Sequence, residues 1–281
     1  MKEEKYFSRK VAVITGGSSG IGKSLAHRLA RNGASVMILA RDPEKLQAAV
    51  AEIRLSARRG DQAIECFPVD VTDAVRVREV MAEIAARRQS IDVLVNSAGM
   101  SQSGYVTDLK LEDYHRLMDV NFFGTLHTIQ AALPYMVRQR SGHIANIGSV
   151  LSLFATFGFS TYASSKYATA GLTEVLRAEL KPRGIRVSLV IAGYADTPMY
   201  TQTRHLEPPE TYAITRGSGI IHPDQVAEVA ARKMAEGDYM IYANFEARIL
   251  PFLSRLWPGL ANRILDFMAS RAKPAPPPEK E

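Results

Sequence analysis

Residues 11–22 read VAVITGGSSGIG, a short apolar run that passes directly into four glycines and two serines. A strand ending in so little side chain exposes bare backbone amides, and a helix starting there adds its own unpaired N–H groups. Together they make a seat for a phosphate. The spacing Thr15-Gly16-x-x-x-Gly20-x-Gly22 departs from G-x-G-x-x-G but obeys the same mechanics. Read alone, the turn serves equally well to let a strand and a helix pack closely.

Outward from this turn, β-branched runs alternate with helical patterns. The runs are VAVIT at 11, SVMILA at 35, IECFPV at 64, DVLVNS at 92, HIANIG at 143, RVSLVIAG at 186 and YMIYA at 239. Between them, 23–33 and 73–88 carry apolar residues at spacings of three and four, and Gly33 ends the first. Such alternation predicts parallel βαβ units. The expected fold is α/β: a doubly wound, Rossmann-type parallel sheet of seven strands with helices on both faces. One catalytic domain is expected over 9–245, an amphipathic helical extension over 246–271, and a disordered tail over 272–281, where the chain reads AKPAPPPEKE.

The bulk composition agrees with a single large domain: 281 residues, 46% hydrophobic and 23% charged. No apolar stretch of signal-peptide or membrane-spanning length occurs, so a cytoplasmic protein is expected. The net charge of +6 comes from scattered Lys and Arg, which argues against a nucleic-acid partner and suits a small anionic ligand. Cys66 is alone, and it reads as a small core residue. The histidines at 27, 115, 127, 143, 205 and 222 show no paired ligand spacing, so no metal is expected. No GxSxG elbow is present.

The second apolar run ends Leu39-Ala40-Arg41, where a ribose-reading residue belongs. A guanidinium in place of a carboxylate suits a 2′-phosphate, hence NADPH/NADP; the other reading of Arg41 is a solvated residue pairing locally with Asp42. TGGSSGIG at 15, Asp70-Val71, NSAG at 96–99, Asn121, Ser149 and the run from Tyr162 to Lys166 together resemble the short-chain dehydrogenase/reductases over residues 9–200. The resemblance implies cofactor contacts from Thr15, Gly16, Ser18, Ser19, Gly20, Ile21, Gly22, Arg41, Asp70 and Val71. It implies further contacts from Asn96, Ala98, Gly99, Gly193 and Thr197, with Tyr162 and Lys166 touching both cofactor and chemistry. Two departures stand out: Ser97 replaces the second Asn of NNAG, and Ala192-Gly193 replaces a Pro-Gly.

The chemistry can also be argued from the residues. Reducing a ketone by hydride creates negative charge on oxygen, so a proton donor and an orienting group are needed. Tyr162 supplies the proton in this reading, and Lys166, one helical turn on, is expected to favour the phenolate. Ser149 would bond the substrate oxygen; by resemblance, Asn121 would hold a water linking Lys166 to solvent. Each has a plainer reading: Tyr-x-x-x-Lys recurs on helices by chance, Ser149 caps the next segment, and Asn121 ties down an irregular turn.

Phe154, Phe157 and Phe159 precede Tyr162 and serve either as core or as an apolar pocket wall, while Met199, Tyr200 and a mobile stretch over 201–219 suggest a lid. The substrate is then expected to be a long-chain or apolar ketone. The segment 244–271 puts Leu, Ile, Phe and Trp257 at helical spacings with Arg248, Arg255, Arg263 and Arg271 between them. It suits packing on the domain, a homo-oligomer contact or peripheral membrane contact. GGSSGIGK, NSAGMSQSG and FGFSTYASSK resemble the branch of the family that reduces 3-ketodihydrosphingosine. A 3-oxoacyl thioester or hydroxysteroid reductase would share every catalytic residue. A cofactor-binding sensor or membrane-docking scaffold is the non-enzymatic alternative.

Overall fold

The computed structural model describes residues 2–272. Seven strands, β1 (Val11–Thr15), β2 (Ser35–Ala40), β3 (Ile64–Pro68), β4 (Val93–Asn96), β5 (Gly142–Ser149), β6 (Ile185–Ala192) and β7 (Met240–Tyr242), form one sheet. Its order is β3-β2-β1-β4-β5-β6-β7, with every pair parallel. Around it lie α1 (Lys2–Phe7), α2 (Gly20–Arg31), α3 (Pro43–Arg54), α4 (Ala74–Arg88), α5 (Leu111–Met118), α6 (Gly124–Gln139) and α7 (Ser160–Leu180). The chain closes with α8 (Pro198–Arg204), α9 (Pro209–Thr215), α10 (Pro223–Glu236), α11 (Phe245–Leu256) and α12 (Pro258–Ser270).

Strand alternation divides the core in two. Ala12, Ile14, Val36 and Ile38 face one way, into a cluster with Leu25 and Leu29 of α2, Leu46 of α3 and Val226 of α10. Val11, Val13, Met37 and Leu39 face the other way, against Val77 and Met81 of α4 and Met136 of α6. Each large side chain so buried contributes about 1.5–3 kcal/mol, which fixes both the register and the side of each crossover helix. The crossovers leave β1 toward β2 on one side while β4 adds on the other. The crevice this creates lies at the carboxyl ends of β1 and β4.

Two helix starts are capped in the ordinary way: Asp42 accepts from the amides of Glu44 and Lys45, and Asp73 from those of Val75 and Arg76. The start of α2 differs, since the Ser19 side chain makes no capping bond and the first turn carries no acid. Its amides remain for an anion. Two elements have no counterpart in the sequence pattern. The helix α1 packs against α10, and a π-turn at Asp119–Phe123 joins α5 to α6. The stretch expected as a lid contains two short helices, α8 and α9, with Thr211 fully buried and donating to the Phe157 carbonyl at 3.1 Å. At the C-terminus, Ala247 is buried beside Leu189 and Ile191, so α11 is rooted in the core. Among the described residues no helix is long and apolar enough to cross a membrane. Apart from Ala272, the tail expected to be disordered lies outside the described residues.

Candidate active site

The glycine turn is shaped by close approach. A Cβ on Gly22 would lie 2.4 Å from the Gly16 carbonyl oxygen, so only glycine lets α2 start against the end of β1. Gly20 has φ +51°, and a Cβ there would stand 3.1 Å from Cγ2 of Thr197, across the cleft. Ser18, Ser19 and Ile21 complete the turn, with Ser19 exposed and Ile21 against the core. Thr197 caps α8, its Oγ1 accepting from the Tyr200 amide at 3.3 Å, and Gly193 leaves β6 beside the Asn244 amide group. This narrow cradle, with uncapped helix amides and glycines where side chains would intrude, fits the diphosphate of a dinucleotide.

Arg41 is exposed directly after β2 and makes no ion pair among the described residues. Asp42 is instead committed to capping α3 and lies 3.5 Å from Lys45, which removes the local pairing considered for Arg41. Asp70 engages one carboxylate oxygen with the amide and hydroxyl of Thr72, and buried Val71 packs against Gly124.

Two expected cofactor contacts, Thr15 and Asn96, have structural work. The Thr15 hydroxyl accepts from the amides of Ser97 and Ala98, both at 3.1 Å, and so ties the NSAG turn to β1. The Asn96 side chain donates to Asn146 at 2.8 Å and accepts from Thr128 at 2.6 Å, inside a buried polar network that continues to Thr173. The side chain thereby joins β4 to β5 and α6. Gly99 does face the site: a Cβ there would be 3.1 Å from Asn121 Oδ1, 3.7 Å from Lys166 Nζ and 3.8 Å from Met199 Cε.

Ser149 ends β5 and caps the next turn, its Oγ accepting from the Leu151 amide at 3.1 Å. Its hydroxyl hydrogen is left to donate, and it faces the Tyr162 phenol and favours the phenolate. Burial acts more strongly in the opposite sense, so that the Tyr162 pKa is pushed up to about 12. Lys166 lies one turn on, buried, with Nζ donating to the Ile147 carbonyl at 2.9 Å and standing 5.7 Å from the Tyr162 ring centre. Burial brings its own pKa down to about 8. Desolvation of the phenol opposes the acidification expected from Lys166.

The Asn121 amide accepts from the Met100 amide (2.9 Å) and donates to the Met100 carbonyl (3.0 Å) and to Ser165 Oγ (2.9 Å). It clamps the segment after the NSAG turn against α7. Ser149, Tyr162 and Lys166 form the converging group, which can donate a proton and stabilise the anion left behind.

Above this group the segment 194–215 carries residues that no local pattern singled out. Tyr194 is close enough for its charge state to feel that of Tyr162, and its ring meets that of Tyr200 edge-on with 5.7 Å between centres. Thr215 donates to Glu207 at 3.3 Å. Of the three phenylalanines, Phe159 is buried, Phe154 is half-buried and Phe157 is exposed against Tyr105. Two clefts of about 270 Å³ lie where α11 and α12 meet residues 153–157, one including Leu153 and Phe252, the other Phe157 and Ile214.

The family model for short chain dehydrogenases matches residues 10–208. A 3-ketodihydrosphingosine reductase from Bos taurus is 34% identical over 228 residues, covering 81% of this chain and 69% of its own. One from Dictyostelium discoideum is 34% identical over 265 residues, covering 89% and 78%. Among solved structures, a short-chain dehydrogenase from Sphingobium yanoikuyae in complex with NADPH superposes with TM-score 0.74 at 26% identity, covering 97% of this chain and 100% of that one. With the parallel seven-stranded sheet, the phosphate-fitting turn and the Ser149–Tyr162–Lys166 group at its carboxyl edge, the chain belongs to the short-chain dehydrogenase family, as an oxidoreductase working with a nicotinamide dinucleotide.

Proposed function

We propose that the chain reduces the ketone of a long-chain, lipid-like substrate with NADPH, and that this substrate is 3-ketodihydrosphingosine, yielding dihydrosphingosine. The observation that carries the reading is the meeting of Ser149 and Tyr162 beside the buried Lys166. NADPH, when bound, supplies the hydride. Ser149 donates to the ketone oxygen and holds it near the Tyr162 phenol, which gives up its proton as negative charge develops there. A phenol pKa of about 12 keeps Tyr162 in the protonated form that a reduction needs, and Lys166, with a pKa of about 8, is largely ammonium at neutral pH. It stabilises the phenolate that remains. The glycine turn would hold the diphosphate, and the unpaired guanidinium of Arg41 would read the 2′-phosphate.

Similarity to the two reductases supports the substrate. The exposed face of α11 and α12, with Trp257, Leu260, Ile264 and Phe267 all at least half exposed and Arg255 and Arg263 between them, supports peripheral seating on a bilayer; a second copy of the chain is the competing occupant.

The test is NADPH consumption by the purified chain with 3-ketodihydrosphingosine, a 3-oxoacyl thioester and a steroid ketone. The sphingoid ketone should be turned over best, and Tyr162→Phe should lower kcat by at least about 10²-fold. No turnover of the sphingoid ketone removes the named substrate, and wild-type turnover by Tyr162→Phe removes the site. In the same assay Arg41→Asp should shift preference from NADPH toward NADH; an unmoved preference sinks the phosphate assignment.

A further inference from the structure

Glu207 sits on the link between α8 and α9, half-buried, and has no ion pair among the described residues. Its nearest charged influence is Arg204, whose guanidinium instead rests over the rings of Tyr200, at 5.7 Å, and Tyr212, at 6.0 Å. Thr215 donates to one Glu207 oxygen at 3.3 Å and lies near the Tyr194 phenol. Tyr194 is in turn the residue whose charge state feels both Glu207 and Tyr162. A carboxylate with no ion pair among the described residues thus stands within electrostatic reach of Tyr194, as the candidate proton donor does. The rings of Tyr194 and Tyr200 meet edge-on. Taking a carboxylate partly out of water is costly, and burial does raise the Glu207 pKa; a cation arriving with a ligand offsets that cost. Paired aromatic rings add attraction for the same kind of group.

We propose that Glu207, with Tyr194 and Tyr200 around it, binds a primary ammonium carried by the substrate next to its ketone, so that the enzyme selects long-chain α-amino ketones over uncharged ketones of equal length. This rests on the ketone-reducing reading above and adds to it the residue that recognises the charge. An acyl thioester or a steroid offers nothing to such a carboxylate, so the selection operates against those substrates too.

The experiment compares kcat/KM of the full-length enzyme for 3-ketodihydrosphingosine and for the chain-matched ketone with hydrogen in place of the amino group. Wild type should favour the amino ketone by about tenfold or more, the scale of one charge-assisted hydrogen bond. Glu207→Gln should bring the ratio toward one, chiefly by raising KM for the amino ketone, whereas Glu207→Asp should keep most of the preference. Circular dichroism and NADPH binding check that each variant is folded. Equal ratios in wild type and Glu207→Gln, or equal damage from Gln and Asp, overturn the ammonium site. A wild type that reduces both ketones equally removes the site and leaves the reductase reading intact. A wild type that reduces neither removes that reading and this inference with it.

Discussion

Lys166 illustrates the cost of a functional residue. Its side chain is 6% exposed, and burial brings its pKa from 10.5 to about 8, a penalty on the order of 3 kcal/mol while the group is charged. The bond to the Ile147 carbonyl returns on the order of 1 kcal/mol. Between about pH 8 and 10.5 the unfolded chain binds more protons at this site than the folded one, so the folded state gains stability as pH rises through that window. Lys166→Met should therefore lose activity by at least about 10²-fold yet melt about 2–4 °C higher than wild type at pH 7. The difference should shrink as pH approaches 10.5. Thermal melts at several pH values check this, and a variant that melts lower at pH 7, with a gap indifferent to pH, would show that the ammonium is not held at a cost.

At the scale of elements, α1 is fastened to the sheet by one buried histidine. The Ser188 hydroxyl donates to the Asp238 carbonyl at 2.6 Å, so it must accept from Nε2 of His143; Nδ1 is then the acceptor, and the Tyr6 hydroxyl donates to it at 2.8 Å. Burial, with Lys10 and Arg186 adding repulsion, brings the His143 pKa to about 3. The unfolded chain takes up a proton here from pH 6.5 downward and the folded one does not, so stability drops by up to about 1.4 kcal/mol per pH unit between 6.5 and 3. His143→Gln should be less stable at pH 7 and lose less on acidification, as read from urea midpoints; equal pH slopes would rule out His143 as the acid-labile point.

The same element scale shows what could be read in advance. The runs at β1, β2, β4 and β6 became strands buried on both faces, which favours Val, Ile and Leu, while the edge strands β3 and β7 are only partly buried. The glycine turn was legible because close approach leaves no alternative to glycine at Gly22. The partners of the Asn96 amide, Asn146 and Thr128, were not legible, because they are neighbours set by the sheet and α6 and invisible in the chain order. The burial of Tyr162 and Lys166 was not legible for a related reason: spacing on a helix tells which groups are near, while burial, which no spacing encodes, also moves each pKa. Glu207 and Tyr194 went unnoticed since 194–215 has no apolar period, and its two short helices are fixed by tertiary contacts such as that of Thr211 with Phe157.

For the whole molecule, the distribution of apolar surface is uneven. Leu253, Leu256, Trp257, Leu260, Ile264 and Phe267 are all exposed on α11, α12 and the junction between them, more than one soluble surface ordinarily leaves together. The same helices border the two clefts against residues 153–157. Arg255 and Arg263 suit anionic headgroups, and their share should weaken with salt while the apolar share persists. The full chain should therefore float with vesicles containing anionic lipid. The double variant Trp257→Glu, Phe267→Glu touches two side chains that are each 55% exposed, so the fold should tolerate it while flotation falls by about tenfold or more, given about 1.5–3 kcal/mol per large apolar side chain withdrawn from the lipid. Flotation unaltered by the variant would exclude this face. A wild-type dimer in sedimentation that the same variant splits, with no vesicle binding by either protein, would assign the face to a second copy of the chain.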